Sequence, residues 1–165
     1  MLTEFEVAVR LTTALLAGTA LGWEREAHHK PAGLKTHMLV ALGSAGFMLA
    51  GVQLHEQLVA QNQADAADLL KVLAGIVGGI GFLGAGSIMR TGGEVQGLTT
   101  AATIWMASAA GIACSLGLYV LAGVAVGLAL LTLLVLGVIQ RMFLDKGNSA
   151  DGLASNTAGD PQNQT

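Results

Sequence analysis

Charge is what this sequence has least of. Asp, Glu, Lys and Arg make up 12% of it, against about 25% in soluble domains, too few to cover a water-facing surface. The net charge of −3 leaves no basic excess for phosphates, so nucleic acid is not expected as a partner. Cysteine occurs once, at Cys114, which excludes an internal disulfide; inside an apolar run it reads as a small core residue. A cleavable leader is not expected, because Met1 to Glu6 lacks a basic region and no small-residue cleavage site follows a short apolar run. Nucleophile-and-base arrangements, nucleotide loops and spaced metal ligands are also missing, so an enzyme is not expected. The run GGIGFLGAG resembles a dinucleotide fingerprint, but it follows no strand and lies inside an apolar segment.

What the chain does have is long apolar runs and 23 glycines, with 53% hydrophobic residues and a mean hydropathy of +0.62. These predict an all-α membrane protein with five spans: Phe5 to Trp23, His37 to Leu54, Leu70 to Met89, Leu98 to Leu116 and Tyr119 to Gln140. Each is close to the roughly 20 helical residues that cross about 30 Å of hydrocarbon. Six of the eight basic residues (Arg25, Lys30, Lys35, Arg90, Arg141 and Lys146) fall on one side of these spans. The positive-inside rule makes that side cytoplasmic, with the N-terminus out and the C-terminus in. A transmembrane domain over 1–144 and a polar, disordered tail over 145–165 are expected.

The stretch from Gly75 to Gly111 organises the rest. On a helical projection Ala74, Gly75, Gly78, Gly79, Gly81, Ala85 and Gly86 fall on one side and Ile76, Val77, Ile80 and Leu83 on the other. A small-residue side lets another backbone approach closely, the usual basis of helix association in lipid. Gly75, Gly78, Gly79, Gly81, Ala85 and Gly86 are therefore expected to pack at the centre of a tight bundle or at a subunit interface. A homo-oligomer follows, with a dimer favoured.

A weak repeat runs through the first four spans. A shift of 64 residues aligns Gly22 with Gly86, Gly33 with Gly97, Leu34 with Leu98, Thr36 with Thr100, Ser44 with Ser108 and Ala45 with Ala109. Spans one and two then correspond to spans three and four as a parallel repeat about an axis along the membrane normal.

Two hinges carry the polar residues. The first reads WEREAHHKPAGLKTH and the second RTGGEVQGLTT. Thr36 or Lys35, and Thr99 or Thr100, stand where spans two and four begin, and Thr is a competent N-cap. Free N–H groups there, with Arg25, Lys35 and Arg90 nearby, suit an anion. Glu24 and Glu26 are the candidate metal ligands, because Mg²⁺ sites use one or two carboxylates plus waters; Mg²⁺ is thus a ligand or substrate rather than a cofactor. The competing reading is a solvated helix extension with local pairs such as Glu26 with Lys30. His28 and His29 point apart and read as surface residues, and His37 as an interfacial side chain. Arg10 is an intramembrane charge, either snorkelling outward beside Glu6 or lining an interior pocket.

The stretches Arg10 to Phe47, Gly75 to Met89 and Val95 to Tyr119 carry G-x-E-R-E, K-P-A-G-L-K-T-H, G-I-G-F-L-G-A-G and G-L-T-T-A-A-x-x-W. In these the chain resembles the MgtC/SapB family of bacterial inner-membrane proteins. The resemblance implies a five-span, N-out and C-in protein associated with magnesium limitation, acid stress and survival inside host cells. The label of magnesium transporter is attached to the family, and some members regulate other membrane machines. Lys35 stands where the family usually has Arg, which weakens a bidentate anion contact. Many members also carry a soluble C-terminal domain; here only the polar tail follows the fifth span.

Overall fold

The computed structural model describes residues 2–63, 65–91 and 93–143. Five α-helices run in order: α1 (Glu4–Ala27), α2 (Leu34–Ala60), α3 (Ala66–Gly86), α4 (Leu98–Ser115) and α5 (Tyr119–Phe143). All five are long and apolar enough to cross a bilayer. Helices fit that solvent because every backbone polar group must be satisfied within the chain. The described residues up to Ala129 form one compact unit, and the end of α5 from Leu130 falls outside it. The expected tail, 145–165, lies outside the described residues.

Local chemistry sets the helix ends. Thr3 and Glu6 form a capping box on α1, and Asp65 with Asp68 does the same on α3. Such caps satisfy amide groups that have no intrahelical acceptor. At its far end α1 stops because His29 turns left-handed (φ 51°). α4 stops at Gly117 (φ 76°), where the Leu118 N–H donates to the Ala113 carbonyl (2.9 Å). Both ends have the left-handed residue typical of helix C-termini.

The second hinge is not a plain loop. Met89–Thr91 (β1) and Glu94–Gln96 (β2) pair antiparallel, Arg90 opposite Val95. The third helix accordingly ends at Gly86 rather than at Met89.

Threonine N-caps on the second and fourth spans are not what forms. Gly33 caps α2 and Gly97 caps α4, neither through a side chain. Gly97 has φ +90°, and a Cβ there would collide with the Ser87 carbonyl oxygen. At Gly33 a Cβ would collide with the Glu26 carboxylate. Glycine is required at Gly97 by space and by conformation, whereas at Gly33 the colliding atom is the end of a flexible side chain.

The core lies among α1, α2 and α4. α1 and α3 each contact both members of the α2–α4 pair and make at most marginal contact with one another. That arrangement agrees with the repeat, as does the capping of both second helices by aligned glycines. Contact is close where small residues meet. A Cβ on Gly18 would lie 2.6 Å from the His37 carbonyl oxygen, and one on Gly22 2.7 Å from the Leu34 Cα. Gly111 meets the Ala41 carbonyl oxygen in the same way. Ala14, Ala41, Ala45 and Ala107 are fully buried. Cys114 belongs to the cluster of Ala14, Ala45, Ala113 and Ala122, as a small core residue should.

The bundle centre is therefore not α3. Added Cβ atoms at Gly75, Gly78, Gly79, Gly81 and Gly86 meet nothing within 4 Å, and Ala85 is exposed. The α3 glycine that does pack is Gly84, against Ala101. Of the two expected placements for this helix, the centre of the bundle is not what forms; these residues face outward from the described unit.

Candidate functional site

The polar residues of the first hinge gather where α1 ends beside the start of α2. Gly18, Gly22 and Arg25 share one face of α1, at spacings of four and three residues. The two glycines bring the first turn of α2 so near that His37 is fully buried. It is not the interfacial side chain its position suggested. Its Nδ1 lies 2.9 Å from the Gly33 carbonyl oxygen. A carbonyl only accepts, so Nδ1 donates, and a neutral ring keeps its lone pair on Nε2.

Arg25 is 3% exposed. Its Nη1 lies 3.6 Å from Glu24 Oε2, and Glu24 Oε1 lies 3.2 Å from His28 Nδ1. Arg25 is buried and Glu24 half-buried, so the helix extension that the sequence allowed is solvated at Glu26 and Lys30 but not at Arg25. Glu24 Oε2, Arg25 Nε and His37 Nε2 are buried without a hydrogen bond inside the protein. Unpaired buried groups cost about 1–3 kcal/mol each. The cluster is thus a polar point that the surrounding packing must hold in place.

Glu26 has a separate role. Its Oε2 accepts the Leu34 N–H at 3.0 Å, so a carboxylate from α1 serves as the missing side-chain cap of α2. Both carboxylates of this hinge already have partners. Glu26 is committed to an amide, and Glu24 stands between a guanidinium and an imidazole. A divalent ion near Arg25 meets Coulomb repulsion of several kcal/mol at about 4 Å and an effective dielectric near 20. Among the described residues, no grouping of three or more His, Cys, Asp or Glu could hold a metal.

The remaining predicted residues are not brought into this cluster by any ion pair or hydrogen bond. Lys35, Thr36, Arg90 and Thr99 are exposed. Thr100 is 3% exposed and sits in the first turn of α4, where its carbonyl accepts from Thr103 Oγ1 at 3.0 Å.

Arg10 finds its hydrogen-bond partner elsewhere than at Glu6. Glu6 is occupied by the N–H and hydroxyl of Thr3, at 2.8 and 2.9 Å. The Arg10 guanidinium instead crosses to α4, where Nη1 donates to the Ser115 carbonyl oxygen at 2.6 Å. That oxygen is one of the last four of α4, which have no intrahelical donor and carry the negative end of the helix dipole. The cation is thereby stabilised by a backbone dipole rather than a carboxylate.

Ser44 and Ser108 emerge as a further buried polar contact, their hydroxyls 2.7 Å apart. The repeat alignment had already paired them, although nothing in it indicated that they touch.

A glycine- and alanine-packed bundle with five helices able to cross a bilayer defines a small polytopic α-helical membrane protein. The profile of the MgtC family matches residues 11–142, and the chain belongs to that family. It is 43% identical over 118 residues to "Protein MgtC" of Brucella suis biovar 1 (strain 1330), covering 72% of this chain and 46% of that protein. It is 42% identical over 113 residues to "Protein MgtC" of Salmonella typhimurium (strain LT2), covering 68% and 45%. With "Putative magnesium transporter YhiD" of Escherichia coli (strain K12) it shares 36% identity over 137 residues, covering 83% and 62%. The chain thus spans about half the length of these relatives. No solved structure matches it.

Proposed function

We propose that this protein sits in a bacterial inner membrane, hinge side in the cytoplasm, and modulates magnesium and ion homeostasis by associating with itself and with other membrane proteins. It is not an enzyme in this reading. The observation that carries it is the open flank of α3. Ala74, Gly78, Gly81 and Ala85 form a stripe at helical spacing, are exposed, and the two glycines have nothing within 4 Å of a built Cβ. In lipid such a flank gains little from exposure and much from close van der Waals packing against a second helix. The ion pairs of Glu24 with Arg25 and His28, and the bond of Glu26 to Leu34, support the same reading, since a cation at Glu24 would have to compete with the Arg25 charge.

A second reading, an ion transporter, is favoured by one observation: the buried Glu24–Arg25–His37 cluster presents unpartnered polar atoms at the inner ends of two spans. The name of the Escherichia coli relative points the same way. Purified protein in liposomes loaded with a Mg²⁺-sensitive dye separates the two. Modulation without conduction gives Mg²⁺ entry at the rate of empty vesicles. Saturable entry that disappears in Glu24→Gln, with the protein still folded, supports transport instead.

A further inference from the structure

α2 and α3 touch at one end and part toward the other. A Cβ built on Gly51 of α2 would lie 2.9 Å from a methyl of Val72 on α3. Closer to the hinges, Gly43 on α2 and Gly75 and Gly79 on α3 have nothing within 4 Å. The space between the helices is a groove of about 670 Å³, within the range of about 300–1,000 Å³ that holds small-molecule ligands. Its walls are Leu39, Gly43 and Phe47 on one side and Gly75, Gly79 and Leu83 on the other. Its floor includes Ile80, which clusters with Ile104 of α4 and with Ala32 of the first hinge. From Leu39 to Phe47 the groove runs about 12 Å along α2, at about 1.5 Å per residue.

The lining is almost wholly apolar, and an exposed cation, Lys35, lies toward the hinge end. Lys35, Leu39 and Gly43 are four residues apart and follow one row of the helix surface. Lys35 therefore stands at the mouth of the groove, and it is exposed. It lies in the first turn of α2, where the Lys35 and Thr36 N–H groups have no intrahelical acceptor and the helix end is positive. The Glu26 carboxylate accepts the Leu34 N–H at 3.0 Å and keeps its charge beside this end, so Lys35 and the Lys35 and Thr36 amides are the groups open to an anion.

We propose that this groove is a binding site for an anionic phospholipid, with one acyl chain between α2 and α3 and the phosphate at Lys35 and the start of α2. An acyl chain matches the apolar walls, and a phosphate matches the ammonium and the free amides at the mouth. A second copy of the chain fits less well. Lying in the same membrane with the same orientation, it would bring its own Lys35 to the same level. The groove is also distinct from the stripe assigned above to protein association, because Ala74, Gly78, Gly81 and Ala85 do not line it.

Native mass spectrometry of the full-length protein in detergent, titrated with phosphatidylglycerol or with phosphatidylcholine of the same chains, tests the proposal. The wild type is expected to prefer phosphatidylglycerol about fivefold, the effect of roughly one basic residue near an anionic headgroup. Lys35→Arg keeps the preference and Lys35→Glu abolishes it. Gly43→Leu, which fills the groove, loses both lipids while its circular dichroism stays that of the parent. The proposal is overturned by equal binding of the two lipids to the wild type, by a preference that survives Lys35→Glu, or by a folded Gly43→Leu that binds as the parent does. Should Gly43→Leu fail to fold, the Lys35 pair at its exposed position still decides.

Discussion

The hydroxyls of Ser44 and Ser108 meet at 2.7 Å across the α2–α4 contact, and the two residues hold corresponding places in the two halves of the repeat. Both are nearly inaccessible, at 2% and 3% exposure. Their contact joins α2 to α4 in the interior. The α2–α4 seam is therefore the natural centre of the fold, with α1 and α3 applied to it.

Breaking that pair gives the first expected outcome. Ser44→Ala leaves one buried hydroxyl without its partner, at a cost of about 1–3 kcal/mol, whereas hydrogen bonds between membrane helices contribute only about 0.6 kcal/mol on average. Ser44→Ala with Ser108→Ala should thus cost less than the two single changes together. Thermal unfolding of the four proteins in detergent measures the coupling; strict additivity would mean the hydroxyls do not interact.

Arg10 is expected to act as a clamp on the end of α4. Arg10→Met should destabilise the fold by about 1.5–3 kcal/mol, the range for a hydrogen bond to a charged group. It should also speed hydrogen exchange at Gly117 and Leu118 more than at the start of α1. Loss confined to the α1 terminus would point back to a Glu6–Arg10 pair.

Glu26 should behave as a helix cap rather than an ion ligand. Glu26→Ala is expected to cost about 1 kcal/mol, as for loss of other N-caps, and to loosen amide protection around Leu34. Stability that depends on added Mg²⁺ in the parent and not in the variant would contradict that role.

Two glycine substitutions should separate internal from external packing. Gly18→Leu forces a side chain into the α2 backbone at His37 and should prevent folding or cost several kcal/mol, overpacking in cores being worth about 1–3 kcal/mol even for smaller insertions. Gly81→Leu, on the open flank of α3, should leave the monomer's helicity and unfolding temperature close to those of the parent.

Much of the fold is legible in the sequence because hydropathy reports the membrane directly. The beginnings of α4 at Leu98 and α5 at Tyr119 coincide with those read from the chain, and Gly33 and Gly97 mark both helix starts through the repeat. The inward faces were harder to read. In lipid both sides of a helix are apolar, so hydrophobicity does not separate core from surface. The buried stripe of His37, Ala41, Ser44, Ala45 and Met48 is distinguished instead by small and polar residues at helical spacing. The α3 glycines misled for a related reason. Composition reveals that a face can be packed closely but not whether the partner belongs to the same chain, and the close contacts inside this unit fall to Gly18, Gly22 and Gly111. Glu24 and Arg25 were legible as a charged group, but their burial depends on Gly18 and Gly22 drawing α2 inward, which no local pattern expresses.

The most direct test of the account is self-association in a bilayer. Full-length protein carrying one fluorophore per chain is reconstituted at low density and its photobleaching steps are counted, for the parent and for Gly78→Leu. Two steps per spot in the parent, falling to one in a Gly78→Leu protein of unchanged helicity, is the expected result. Single steps in the parent at every density, or a Gly78→Leu protein that still associates as the parent does, would contradict the assignment of the α3 flank as an interface.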